Sequence, residues 1–171
     1  MMSSTEPRRV RNRDLFAEYR FALGRFPTGV AFVATRASNG DAAGLLINSF
    51  TSASLDPPLV AWYLALGSRS CPIFSRAATF AVSILSADQK FLLNSLGRPL
   101  EARLQGIPVR NGLGGAPVLH GAAASFECRT HSISLAGDHN LFLGFVEKFD
   151  TNGQDPLAYL NGKFGCVQIP A

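Results

Sequence analysis

Charge is scarce in this chain. Asp, Glu, Lys and Arg make up 16% of its 171 residues, against about 25% in ordinary globular proteins, which excludes a solvated disordered segment and a charged coiled coil. Cysteine is scarcer still. Cys71, Cys128 and Cys166 are an odd number at wide spacings, so no disulfide framework is expected. The chain has no CxxC pair and no HExxH. Its one close Cys–His pair, Cys128 and His131, falls inside an expected strand at an odd spacing that sends the two side chains to opposite faces, so no metal site is expected. GxSxG, GxxxxGK[ST] and a GxGxxG following a strand are also missing, which excludes a nucleophile elbow, a P-loop and a Rossmann grip on a nucleotide. The longest apolar run, Leu59–Leu66, has eight residues, far short of the ~20 that span a bilayer. The Arg-rich start carries no apolar stretch of the secretory kind, and a cytoplasmic location without a membrane partner is expected.

The charge that is present is unevenly placed. The formal net charge is +4 and the pI about 9.3, but Arg8, Arg9, Arg11 and Arg13 against Glu6 concentrate +3 in residues 1–13. The body is nearly neutral and has no basic stripe interleaved with aromatics, so no nucleic-acid partner is expected. Residues 1–13 read as a basic, flexible arm, and residues 14–171 as one domain.

Apolar periodicity predicts a helix over 14–26, with Leu15, Tyr19, Ala22, Leu23 and Phe26 on one face and Pro27 ending it. Gly29–Thr35 and Ala43–Ser49 read as strands joined at Asn39-Gly40, a pair suited to the positive φ angles of a tight hairpin turn. Asp56-Pro57-Pro58 is a break. Beyond it the pattern predicts a buried strand Leu59–Leu66, a short helix Cys71–Arg76, a strand Ala78–Leu85 and a helix Asp88–Ser95 with Asp88 near its cap. Leu100–Gln105 is expected to add one turn, and the Gly- and Pro-rich stretch 106–121 reads as a long loop. Long strands Ala122–Ser134 and His139–Phe149 follow, and then shorter ones, Leu157–Leu160 and Lys163–Ile169, around Asn161-Gly162. Strands joined by tight turns with few helices favour an antiparallel barrel over a doubly wound sheet.

Two polar clusters carry the candidate chemistry. Asn48-Ser49-Phe50-Thr51-Ser52-Ala53-Ser54 leaves a strand with five hydroxyl or amide side chains in seven residues, able to satisfy a heteroaromatic or anionic ligand without supplying charge. Ser68-Arg69-Ser70 precedes a short helix, where Arg, Ser and a helix start suit a phosphate. On composition alone, loop and cap satisfaction is the better account of both clusters.

Arg25-Phe26-Pro27-Thr28-Gly29-Val30, the run Asn48 to Pro58, Ala81 to Leu85 with Asp88-Gln89, Arg103 to Gly106, Phe126-Glu127-Cys128 and Gly137-Asp138-His139 occur in the order found in the flavin reductase-like family of FMN-binding split barrels, which the chain resembles over roughly residues 14–168. The resemblance implies a mainly β fold: a six-stranded antiparallel split β-barrel of Greek-key type with a few short flanking helices. It implies an NAD(P)H:flavin oxidoreductase that passes hydride from nicotinamide C4 to flavin N5. The FMN or FAD so reduced goes to a partner monooxygenase, and the enzyme is a homodimer. By the same resemblance Pro27, Thr28, Ile47, Asn48, Ser49, Ser52 and Ser54 line the flavin ring and ribityl chain, Ser68, Arg69 and Ser70 hold its phosphate, and His139 faces the nicotinamide with Lys163 and Phe164 nearby. Where the family often has Arg-Gly-Arg-Tyr, this chain has Asn161-Gly162-Lys163-Phe164, which leaves NADH against NADPH open, as FMN against FAD is. A flavin-binding protein without reductase turnover and a flavin-retaining oxidoreductase of the same fold are the alternatives.

Overall fold

A computed structural model describes residues 13–99 and 103–167. The arm expected over 1–13 lies outside this range up to residue 12, as do the last residues of the strand expected to end at Ile169. The first element, α1 (Arg13–Leu23), stops short of Pro27 because the Gly24 N–H closes on the Arg20 carbonyl at 2.9 Å and a turn follows. Its apolar residues are not buried within the chain: Phe16, Tyr19, Phe21 and Leu23 are all exposed, and so is Phe26 just beyond.

Twelve strands follow among the described residues. They are β1 (Thr28–Gly29), β2 (Ala31–Arg36), β3 (Ala42–Ile47), β4 (Thr51–Ser54), β5 (Leu59–Ala65), β6 (Thr79–Ile84), β7 (Val109–Asn111), β8 (Pro117–Leu119), β9 (Ala124–Ala136), β10 (His139–Thr151), β11 (Leu157–Leu160) and β12 (Lys163–Cys166). Two short helices, α2 (Cys71–Phe74) and α3 (Leu93–Leu96), punctuate them. The largest sheet has the order β3-β2-β6-β9-β10-β5-β4, all antiparallel where paired; β1-β11-β12 and β7-β8 are separate small sheets. The fold is therefore mainly β with few helices. No helix among the described residues is long and apolar enough to cross a membrane.

The β2–β3 hairpin turns at Asn39-Gly40 as its sequence requires, with Gly40 at φ 89° and the Asp41 N–H donating to Asn39 Oδ1. The β9–β10 hairpin turns in two residues, with Gly137 at φ 64°. Three expectations are corrected. The stretch 106–121 is not an open loop, since β7 and β8 pair within it from Val109↔Leu119 to Asn111↔Pro117. The helix expected over Asp88–Ser95 is a 3₁₀ stretch, Ala87–Leu92, that runs into α3. It is capped by Ser86, whose N–H donates to Gln89 Oε1, with Asp88 in its first turn. The hydroxyl-rich segment also contains a strand, β4, which is short and weakly apolar and forms only because β5 supplies its ladder.

Strand β2 explains where the core sits. Ala31 and Val33 on one face join Ala43, Val60, Trp62, Leu64, Phe74, Phe80 and Phe142, while Val30, Phe32 and Ala34 join Leu85, Leu92, Leu96, Leu119 and Leu157 on the other. Trp62 is the centre of the first cluster. It stacks on Phe142 at 4.4 Å and meets Phe74 and Phe80 edge-on at 5.1 and 5.7 Å, arrangements favoured by the ring quadrupoles. Because β3 and β5 contribute to one cluster although they stand near opposite ends of the sheet order, the sheet curls. Gly44 of β3 permits this packing, since a Cβ there would stand 2.2 Å from the Phe32 ring.

Candidate functional site

The first candidate region forms where β1, β3 and the β11–β12 hairpin converge. Antiparallel pairing sets Thr28 opposite Tyr159, and Tyr159 in turn opposite Phe164, with ring centroids 5.1 Å apart. Two adjoining cavities open here, of about 450 and 200 Å³, and Asn48 and Tyr159 line both. Thr28 borders the larger; Ile47 and Phe164 border the smaller with Val30 and Leu46. The Thr28 hydroxyl is buried and has no hydrogen-bond partner. Such an orphaned polar group costs free energy unless something bound beside it completes the bond. Pro27 is exposed next to it.

The segment between β3 and β4 is fastened by Ser49. Its Oγ accepts the Tyr63 N–H at 3.1 Å and donates to the Tyr63 carbonyl at 3.4 Å. Ser52 and Ser54 pair along β4 with Val60 and Leu59, so they run away from the Asn48 cavity. The structure thus brings Thr28, Ile47, Asn48 and Phe164 together, gives the Ser49 hydroxyl a main-chain partner, and sets Ser52 and Ser54 apart along the edge. Lys163 is exposed at the start of β12.

His139 stands at the same end of β5. It pairs with Ala65 and Ala136, and the Leu66 N–H donates to the Asp138 carbonyl at 3.0 Å. Strand alternation puts His139, Leu141, Ala65 and Tyr63 on the face turned away from Trp62. Asn140, on the other face, donates to Cys71 Sγ at 3.6 Å. Since β5 lies between β4 and β10, His139 and the Ser49 end of the polar segment flank that strand about 10 Å apart, two interstrand spacings. Asp138 holds the imidazole, with Oδ1 2.6 Å from Nδ1. That hydrogen bond and the charge of His139 keep the Asp138 carboxyl below the usual aspartate range. With Nδ1 committed, Nε2 is left for a ligand.

The turn 66–70 continues from β5 beside Asp138. Ser70 is buried, and its N–H donates to Ser68 Oγ at 3.3 Å, while Arg69 is exposed. The helix α2 that follows has only four residues, so its dipole is slight. Cys128 is buried and His131 exposed, on opposite faces as their odd spacing requires. Burial, with the nearby Glu127 charge, pushes the Cys128 thiol up to about 12. Among the described residues no cluster of His, Cys, Asp and Glu is arranged to hold a metal. Sequence reasoning assigned no role to Tyr159 or Asp138. Tyr159 reaches the cavity through the β1–β11 pairing, which leaves no local signal, whereas Asp138 adjoins a candidate histidine and was legible.

The residues fit a flavin. A tricyclic ring needs flat apolar walls, which Val30, Leu46, Ile47, Tyr159 and Phe164 supply, and hydrogen-bonding groups at its edge, which Asn48 and the unpaired Thr28 hydroxyl supply. Comparison with known proteins agrees. The chain is 41% identical over 147 residues to the FMN reductase (NADH) SmoA of Agrobacterium fabrum, covering 86% of this chain and 83% of that one. It is 40% identical over 145 residues to a probable flavin reductase of Rhizobium meliloti, covering 85% of this chain but 47% of the relative, so it spans about half of that protein's length. The NADH:FAD oxidoreductase SgcE6 of Streptomyces globisporus, solved with NAD and FAD fragments, superposes with a TM-score of 0.85 at 29% identity and covers 94% of this chain and 98% of its own. The family description "Flavin reductase like domain" matches residues 23–168, and the chain belongs to that family.

Proposed function

We propose that this protein is an NAD(P)H:flavin oxidoreductase that supplies reduced FMN or FAD to a partner monooxygenase. The observation that carries the reading is the buried, unpartnered Thr28 hydroxyl bordering a cavity shared by Asn48 and Tyr159. A bound flavin would supply the two-electron acceptor for hydride transfer from the nicotinamide. The chain's own task is positioning, since hydride transfer needs two rings held at near-attack distance and no nucleophile. Thr28 and Asn48 hydrogen-bond the polar edge of the ring, and Tyr159, Ile47 and Phe164 exclude water from its faces. Ser68, Arg69 and Ser70 take the phosphate side. His139, its Nδ1 held by Asp138, offers Nε2 to the nicotinamide carboxamide or pyrophosphate, with Lys163 at the rim. Pro27 borders the approach, while Ser52 and Ser54 stand apart along β4. None of these groups is a covalent anchor, which lets reduced flavin leave.

The same reading takes β2, β3, β5, β6, β9 and β10 as the six-stranded Greek-key split barrel, with residues 14–171 as its domain. The core cluster shared by β3 and β5 supports it. It also takes the protein as a cytoplasmic homodimer, for which the exposed apolar side chains of α1 provide a surface. The test is NADH or NADPH oxidation followed with and without FMN or FAD. Oxidation that requires free flavin and saturates with it is the expected result. Tight flavin binding without turnover for any of the four pairs would overturn the reductase reading.

A further inference from the structure

The largest cavity among those described is not the one beside Thr28. It measures about 740 Å³ and opens between the β2–β3 hairpin and α2. Arg36 and Arg76 line it, with Asp41 the single acidic residue among the lining. Arg36 is held in place by the Gly115 and Gly40 carbonyls and Asn111 Oδ1, all uncharged acceptors, so its position is fixed. Asp41 accepts from Asn39 Nδ2 at 2.8 Å. Pro72, Ile73 and Leu104 add apolar side chains to the lining. Fixed positive charge, hydrogen-bonding side chains and an apolar slot together suit a phosphorylated nucleoside.

Its position fits one too. The cavity sits at the Arg36–Ala42 end of β2 and β3, and the Thr28–Asn48 cavity sits at the opposite end of the same two strands. Five residue steps along β3 lead from Ala42 to Ile47, about 17 Å, a distance that an extended dinucleotide can bridge and a mononucleotide cannot. The helix that forms one side of the cavity, α2, is also the one preceded by Ser68–Ser70.

We propose that this cavity receives the adenosine diphosphate end of a dinucleotide whose redox-active ring lies at the candidate site, Arg76 meeting its phosphates. The proposal rests on the reductase reading. FAD and NAD(P)H share this chemistry, and the test separates them. Arg76→Glu and Ser38→Trp, the second filling the cavity from an exposed hairpin position, are compared with the unsubstituted full chain. FMN and FAD affinities are taken from flavin fluorescence, and KM values for NADH and reduced nicotinamide mononucleotide are measured with FMN as acceptor. If FAD is the source, both variants weaken FAD about tenfold, the worth of one charge-assisted contact, and leave FMN within twofold. If the nicotinamide dinucleotide is the source, the NADH KM rises about tenfold and that of the mononucleotide does not. Unchanged ratios in both pairs, with flavin still bound, would overturn the proposal and leave the reductase reading standing. Failure of the unsubstituted chain to bind either flavin would overturn both.

Discussion

One hydroxyl, that of Ser49, closes two hydrogen bonds to the main chain of Tyr63, accepting its N–H and donating to its carbonyl. The ladder between β4 and β5 ends at Thr51↔Ala61, so beyond it the Tyr63 peptide groups that face the β4 side would have no strand partner. Ser49 acts there as a one-residue extension of the ladder, and it fixes the exit of Asn48 toward the cavity. Ser49→Ala should cost about 1 kcal/mol in denaturant unfolding and weaken flavin binding. Ser49→Thr, which keeps the hydroxyl, should restore both. Equal flavin affinity in Ser49→Ala would show that the clamp does not hold the site.

Asp138 and His139 make a separable prediction. His139→Ala should raise KM for NADH and leave the flavin dissociation constant unchanged. Asp138→Ala should lower kcat/KM by about tenfold, the worth of one hydrogen bond, with flavin binding again intact. The folded-state Asp138 pKa is lowered by His139, so its grip on the ring persists to a lower pH than an ordinary aspartate allows and fails as pH falls through the lowered value. In the pH profile of kcat/KM that acid limb should vanish from Asp138→Ala.

Glu127 gives the fold an acid sensitivity. Burial alone would raise its carboxyl, but the Arg110 hydrogen bond at 2.7 Å, the Leu113 N–H and the charges of Arg110 and Lys148 outweigh it and leave the pKa lowered. Its contribution is therefore present above the ordinary glutamate value and lost as pH falls through the depressed one. Glu127→Gln should flatten the melting temperature against pH below about 4.3. Arg110→Ala should cost about 1–2 kcal/mol, less than a fully buried pair because Arg110 is partly exposed.

Gly44 tests how tightly β3 packs. A methyl at this position meets the Phe32 ring, and Phe32 is itself buried, so Gly44→Ala should destabilise by about 1–3 kcal/mol as an overpacked core. Gly44→Ala combined with Phe32→Leu should recover part of the loss, read from the denaturation midpoint.

The sequence made legible those features whose cause is local. Asn39-Gly40 carries its turn in its own backbone preferences, and the apolar run Leu59–Leu66 reads as a strand, of which the Val60–Trp62–Leu64 face is buried while Tyr63 and Leu66 are exposed. Thr51–Ser54 was not legible as a strand, since its residues show no apolar alternation and β5 alone recruits it. Pro117 and the Gly114-Gly115 pair concealed the β7–β8 pairing, because those residues also mark loops. The apolar period of α1 was read correctly as helix, but periodicity identifies a face and not what covers it, and here that face is exposed. Thr28 and Asn48 stood out in the flavin reductase resemblance, whereas Tyr159 joins them only through strand pairing distant in sequence.

Strand β2 serves both hydrophobic clusters, one on each face, and this has a consequence for how the protein comes apart. Neither cluster can be hydrated without stripping the shared strand from the other, so the two cannot melt as independent units. The amides of Phe32, Val33 and Ala34 should exchange with deuterium only through global opening, with protection equal to the full unfolding free energy. The hairpin that leads from the candidate site to the arginine-lined cavity is thus anchored in the slowest-exchanging part of the molecule, and any adjustment to ligand falls to the segments around it.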